Sequence, residues 1–328
     1  MNGKRVFLID AIKVFAIIAI ITTHYPWEDP NSVVMCYVID MAVPLFVLLS
    51  GYNLSSSYRK WEHDLLTVKF KWLWDHIFWF IIPYIPFFCV ELLGNMYLGR
   101  RYLLKEIVVR LIEGGWGPGA YYIPMLMQLI IIFPLVHFLT VKWQEKAVFV
   151  IGAFNFLYEM IIQISGISSH LYAILIFRYL FIIALGCYLS ISNKKINRWF
   201  LLTFFFIGSL FIYLTGCLNI QFPIFRLWTT TSMLTGLYFF PVIYILFKKC
   251  NCDVENHAIS LLITIIGQNT YYIYLVQKTW YYSGITNLFL RYPVVVRLLI
   301  NIIACTIIGV IYGIIVARFK RCISDEKI

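Results

Sequence analysis

A chain of 328 residues that is 61% hydrophobic and only 13% charged, with a mean hydropathy of +0.81, holds more apolar surface than a soluble domain of that length can bury. That excludes an ordinary soluble enzyme and predicts an all-α integral membrane protein. The net charge of +11 reflects lysines and arginines gathered on one set of loops, not a surface for nucleic acid.

A membrane-spanning helix needs about 20 predominantly apolar residues. Ten stretches meet that measure, approximately 6–24, 33–53, 72–93, 119–139, 146–164, 170–190, 199–218, 225–247, 259–278 and 294–317. They predict one ten-helix bundle, with residues 1–328 forming a single multi-pass domain and no separate soluble domain. The first stretch is expected to stay in the protein. It is too long for a signal h-region, it carries Lys13, and no small-x-small cleavage site follows.

That first helix, Val6 to His24, is interrupted by two charges, Asp10 and Lys13. Lys13 and His24 stand eleven residues apart, so both lie on one helix face, separated along the axis by roughly 16 Å. Ionisable residues inside a spanning helix are costly and usually face the protein interior, where they mark a pathway or site. Asp10 and Lys13, spaced i,i+3, can pair and reduce each other's burial cost. Snorkelling to the inner interface is the alternative for Lys13. His24 reads either as a hydrogen-bonded interfacial residue or as a general base, since a neutral imidazole suits deprotonation of an alcohol.

The second stretch contains ValProLeuPheValLeuLeuSerGlyTyr, residues 43–52. Pro44 removes a backbone donor and predicts a kink, and Ser50–Gly51 permits close helix contact. Asp40, one turn before Pro44, is a further candidate buried acid.

Loops on the N-terminal side of the ten segments carry seventeen cations, and those on the opposite side carry five, four of them in 94–118. The positive-inside rule then places both termini in the cytoplasm. The 94–118 loop is long enough to hold an amphipathic helix lying on the membrane.

Other intramembrane charges are Glu159 in the fifth segment and Arg178 in the sixth, read as a structural salt bridge or as contacts to a substrate. Glu91 and Glu113, near the outer interface, either orient His24 or are solvated. Trp116, Tyr121 and Tyr122 suit stacking on a sugar ring or membership of an aromatic belt. Of the eight cysteines, only Cys250 and Cys252 lie close together. One Cys-x-Cys without a second pair or a nearby histidine is a poor metal site. No metal is expected, and the cysteines read as reduced and structural.

Several of these motifs together resemble the acyltransferase-3 family of integral membrane acyltransferases. IleAspAlaIleLys (9–13) followed by ten residues and His24 matches its first-helix pattern, and ProLeuPheValLeuLeuSerGlyTyr (44–52) matches its second signature. GlyProGlyAlaTyrTyrIlePro (117–124), with Gln128 and Phe133–Pro134, is similar to its fourth-helix region. GlyGlnAsnThrTyrTyrIleTyrLeu (267–275) is similar to a late-helix motif. The chain departs in having Lys13 where Arg is commoner, His76 and Trp79 near the place of an Arg-x-x-Arg pair, and Gln277 where the late motif commonly ends in His.

The resemblance implies an O-acetyltransferase of the plasma membrane. Its co-substrate would be cytoplasmic acetyl-CoA or another acyl-CoA, with no permanently bound cofactor. The acceptor would be a hydroxyl of an extracytoplasmic polysaccharide or other envelope glycan. It implies His24 as the catalytic residue, acting as a base or through an acyl-imidazole. It implies Asp10, Lys13, Ser50, Lys69 and Lys71 on the donor side, where lysines hold the CoA phosphates as point charges. Trp116, Tyr122, Glu159 and Arg178 remain candidates for substrate contact. The competing reading is a transporter of polysaccharide or lipid-linked sugar, in which Asp10, Lys13, Glu159 and Arg178 line the path.

Overall fold

The computed structural model describes residues 3–25, 27, 29–60, 70–192, 194–249 and 257–325, and every regular element among them is helical. Helices are the expected outcome for isolated apolar segments. In a lipid environment a helix satisfies its own backbone polar groups. Helix α1 covers Gly3–Thr23, and a wide π-type turn at Met35–Ile39 leads into α2, Ala42–Lys60. Helices α3 (Phe70–Ile81) and α4 (Tyr84–Tyr97) are followed by the short α5 (Leu104–Ile112). Next come α6 (Tyr122–Trp143), α7 (Glu145–Ile164), α8 (Ser169–Ile174) and α9 (Leu180–Ile191). Helix α10 (Arg198–Ile212) ends in a second wide turn, and α11 (Thr235–Lys249) follows. The last three are α12 (His257–Gln268), α13 (Thr270–Tyr282) and α14 (Val294–Asp325).

Among the described residues six helices are long and apolar enough to cross a membrane, or seven if α12 and α13 form one broken span. The sequence reading expected ten segments, with a kink at Pro44, and three interruptions have local causes. Between α12 and α13 the axis bends by 64°. There the Asn269 side chain donates to the Ile265 carbonyl at 2.7 Å, offering the backbone an alternative to a regular helix. In the sixth segment the chain turns extended at Leu175, between α8 and a 3₁₀ turn at Ile176–Tyr179. The Gln128 amide brackets that break. It donates to the Ile174 carbonyl at 3.0 Å and accepts from the Ile176 N–H at 3.2 Å. Pro44 stands in the first turn of α2, where its missing N–H interrupts the chain at Asp40–Met41 rather than kinking mid-helix.

The chain divides into two compact units. In the first, residues 1–26, 77–123 and 252–328, α13 packs against α1, α4 and α14, and α12 lies along α1. In the second, residues 27–76 and 124–251, α9 is the central helix and pairs most extensively with α2. All residues from Leu180 to Ser190 of α9 are buried, as befits a helix apolar on every side. The α2–α9 crossing is backbone to backbone. A Cβ on Gly51 would stand 2.6 Å from the Ile183 carbonyl oxygen, and one on Gly186 would strike the Leu48 carbonyl. The small residues noted at Ser50–Gly51 therefore do set a helix contact.

The 94–118 region contains helix α5, with the Leu103 N–H donating to the Glu106 carboxylate at 2.8 Å. Leu103, Leu104, Val108, Val109 and Ile112 of this region are exposed. The described cysteines, Cys36, Cys89, Cys187, Cys217, Cys305 and Cys322, carry no disulfide. Cys250 and Cys252 lie outside the described residues.

Candidate functional site

The first unit gathers a polar site around the C-terminal end of α1. Thr22 and Thr23 donate their hydroxyls to the Ile18 and Ile20 carbonyls, at 2.8 and 2.7 Å. Thr23 thereby closes a carbonyl that the helix end leaves open, while Thr22 back-bonds to one inside the helix ladder. The next open carbonyl, that of Ile21, accepts the Tyr281 hydroxyl at 2.9 Å. This bond ties α13 to the end of α1 and sets the Tyr281 ring edge-on to the His24 imidazole, 5.9 Å between centroids. His24 is half-buried. Among the described residues its imidazole nitrogens have no hydrogen-bond partner.

The loop 114–119 runs past the imidazole. Gly114, Gly115 and Gly119 have φ of +93°, +94° and +76°, a region that favours glycine. A Cβ at Gly119 would sit 3.5 Å from His24 Nε2 and 3.6 Å from the Tyr274 ring. The bare backbone of Gly119 thus leaves open space beside the histidine. Tyr274 donates its hydroxyl to the Gly119 carbonyl at 2.8 Å and meets the Tyr122 ring edge-on at 5.1 Å.

A buried ion pair holds that loop. Lys278 Nζ and Glu91 Oε1 lie 2.5 Å apart, with both side chains fully buried. Glu91 also accepts from the Thr279 hydroxyl at 2.9 Å and from the Trp116 N–H at 3.0 Å. Any side chain at Gly115 would collide with this pair, since a Cβ there stands 2.8 Å from Lys278 Nζ. Trp116 in turn stacks on Phe88 at 5.3 Å, with planes 17° apart. Buried charges survive only when paired and hydrogen-bonded, and this pair satisfies both conditions while fixing the loop beside His24.

Deeper along α1, Lys13 Nζ lies 3.4 Å from Asp10 Oδ1. Asp10 is nearly fully buried, whereas the Lys13 side chain keeps 22% exposure. Among the described residues Asp10 Oδ2 has no partner. Gly267 of the late motif packs here, where a Cβ would come within 2.6 Å of Asp10 Cβ. Gln277 is fully buried on α13. Neither its amide oxygen nor its amide nitrogen has a partner among the described residues. It lies three residues after Tyr274 and four before Tyr281, hence on their face of the helix.

Asp10, Lys13, His24, Trp116 and Tyr122 therefore belong to one unit, and its contacts connect His24, Trp116 and Tyr122 through the 114–119 loop. Ser50, Glu159 and Arg178 belong to the other unit. Glu159 and Arg178 do not form the expected salt bridge. Glu159 Oε2 accepts from Tyr172, Gln163 and Trp228, at 2.7, 2.8 and 3.3 Å. Arg178 donates to the Tyr179 hydroxyl at 2.7 Å and lies over the Tyr172 ring. The two charges share Tyr172 because a break before α9 sets Arg178 in the 3₁₀ turn. Asp40 accepts from the Thr230 hydroxyl at 2.9 Å, and Glu113 pairs with Arg110 at 3.3 Å. Lys69 lies outside the described residues, as does the side chain of Lys71. Among the described residues no group of His, Cys, Asp or Glu is arranged to hold a metal ion.

The sequence reading missed Lys278, Tyr274 and Tyr281. Lys278 carried a usable signal, because a lysine at the end of an apolar segment falls under the same rule that singled out Lys13. Tyr274 stood inside the late-helix motif 267–275 without being singled out, and Tyr281 carried no signal, being indistinguishable in sequence from an interfacial belt.

The family model for an acyltransferase domain matches residues 7–318. Comparison with curated proteins and with solved structures gives no match.

Proposed function

This chain belongs to the acyltransferase-3 family of membrane acyltransferases, and on that premise we propose that it moves an acetyl group from acetyl-CoA to a hydroxyl of an envelope glycan. The observation that carries the proposal is His24. Its imidazole, without a hydrogen-bond partner among the described residues, stands at one end of α1 beside the open backbone of Gly119, eleven residues from Lys13. A CoA donor has the same layout, with phosphates at one end and a thioester at the end of a long arm.

In this reading both termini are cytoplasmic, ten segments span the plasma membrane, and Lys13 meets a donor phosphate as a point charge. His24 removes the proton from the acceptor hydroxyl as its oxygen attacks the thioester carbonyl. The tetrahedral intermediate expels the CoA thiolate, which takes the proton back from the imidazolium. The glycan leaves as an ester and CoA as a thiol. The amide of Gln277 meets polar atoms of the bound donor, which supplies the partners it otherwise lacks. Trp116 and Tyr122 border the acceptor side. Lys278 and Glu91 act through the 114–119 loop, positioning Gly119 against the histidine.

Purified full-length protein given labelled acetyl-CoA and the glycan of its own host tests the proposal. Label incorporated into glycan, and lost with His24→Ala, supports it. A wild-type protein that neither hydrolyses acetyl-CoA nor transfers its acetyl group contradicts it. Membership of an acyltransferase family favours this chemistry over transport alone.

A further inference from the structure

The second unit contains a cavity of about 440 Å³ that the transfer site does not use. Its walls come from α7, α9, α10 and α11, and they are apolar, with Phe149, Phe181, Phe204, Leu237 and Phe240 among them. Taking a methylene as about the size of a water, near 30 Å³, the space holds roughly fifteen such units. That is the scale of one fatty acyl chain. Phe149 and Phe200 are exposed along its edge, so a chain can enter from the side.

The cavity is not apolar throughout. Glu145, Lys194 and Lys195 line its mouth. The segment bearing the lysines is held on three sides. Lys194 Nζ pairs with Glu145 at 2.9 Å, the Ile196 N–H donates to the Tyr244 hydroxyl at 2.8 Å, and the Asn197 side chain caps α10. Lys195 is exposed and has no ion pair among the described residues. Trp199 follows, 64% exposed, in the manner of an interfacial anchor. Lys248 lies near Tyr244, so further positive charge collects at the same end.

We propose that this cavity is a binding site for one anionic glycerophospholipid, with an acyl chain between α7, α9, α10 and α11 and the phosphate at Lys194 and Lys195. An apolar slot of acyl-chain volume beside two lysines and one carboxylate, with Lys194 held by Glu145 and Lys195 left for a phosphate, selects both parts of such a lipid, and basic pockets between membrane helices recognise anionic headgroups in this way. The proposal is independent of the acyl-transfer chemistry.

Native mass spectrometry of the delipidated full-length chain in mild detergent tests it. The probes are palmitoyl-oleoyl phosphatidylglycerol and the phosphatidylcholine with the same chains. The expected result is one phosphatidylglycerol retained per protein, about tenfold over phosphatidylcholine. Lys194→Gln combined with Lys195→Gln removes that preference, and Lys195→Gln alone, at an exposed loop position, reduces it. Ala153→Trp, at an exposed position within the groove, fills the slot and reduces retention of both lipids. Equal retention of the two lipids by wild type, no retained lipid, or retention unaffected by Ala153→Trp would each overturn the proposal.

Discussion

At the scale of single residues, Gln277 separates function from stability. Two buried polar amide atoms with no partner among the described residues cost about 1–3 kcal/mol apiece, and an apolar residue of similar size removes that cost. Gln277→Leu is therefore expected to raise the thermal midpoint while lowering kcat/KM for acetyl-CoA, measured on the same preparation. A variant with unchanged activity would remove Gln277 from the donor site. The Lys278–Glu91 pair gives the opposite pattern. Lys278→Ala strands a buried carboxylate and is expected to destabilise by about 3–5 kcal/mol, whereas Lys278→Met with Glu91→Leu recovers most of that loss. Denaturation midpoints of the two variants check this. If the double variant is no better than the single one, the pair's value lies elsewhere. Of the residues in this site, Asp10, Lys13 and His24 were legible in the sequence, because a charge in an apolar helix and a shared helical face can both be counted. Tyr281 was not. Its role depends on which open carbonyl it reaches, and that is set by packing between helices distant in sequence.

At the scale of elements, hydropathy located the helical segments well and their interruptions poorly. Two of the breaks rest on a polar side chain replacing part of a backbone ladder, Asn269 at Ile265 and Gln128 around Leu175. Neither is an evident helix stop, since asparagine and glutamine also occur within helices. Close approach was more readable. Ser50–Gly51 marked a contact, and the partner proved to be α9. Gly51→Val is expected to force α2 off α9 and to cost about 1–3 kcal/mol or more through overpacking. A reduced thermal midpoint with retained helical circular dichroism is the expected signature. Gly115→Ala meets two obstacles together, a φ of +94° and the Lys278–Glu91 pair. It should depress transfer by displacing the 114–119 loop, and Gly94→Ala, where nothing lies within 4 Å, serves as the control.

At the scale of the whole molecule, the proposed orientation rests on the charge asymmetry of the loops, and the proposed direction of transfer rests on that orientation. With seventeen cations on one side and five on the other, an N-terminal epitope tag is expected to stay inaccessible to antibody in intact cells and to become accessible on permeabilisation. A tag exposed on intact cells would turn the proposed site inward and place Lys13 on the wrong face for a cytoplasmic donor. The family assignment and the geometry around His24 meet in one claim, that this histidine carries acyl transfer to a surface glycan. The most direct test is the glycan O-acetyl content of cells expressing His24→Ala, compared with wild type at matched levels of membrane-inserted protein. A general base contributes about 10²–10⁴-fold in rate, so acetylation is expected to fall to the level of cells lacking the protein. Acetylation equal to wild type would contradict it.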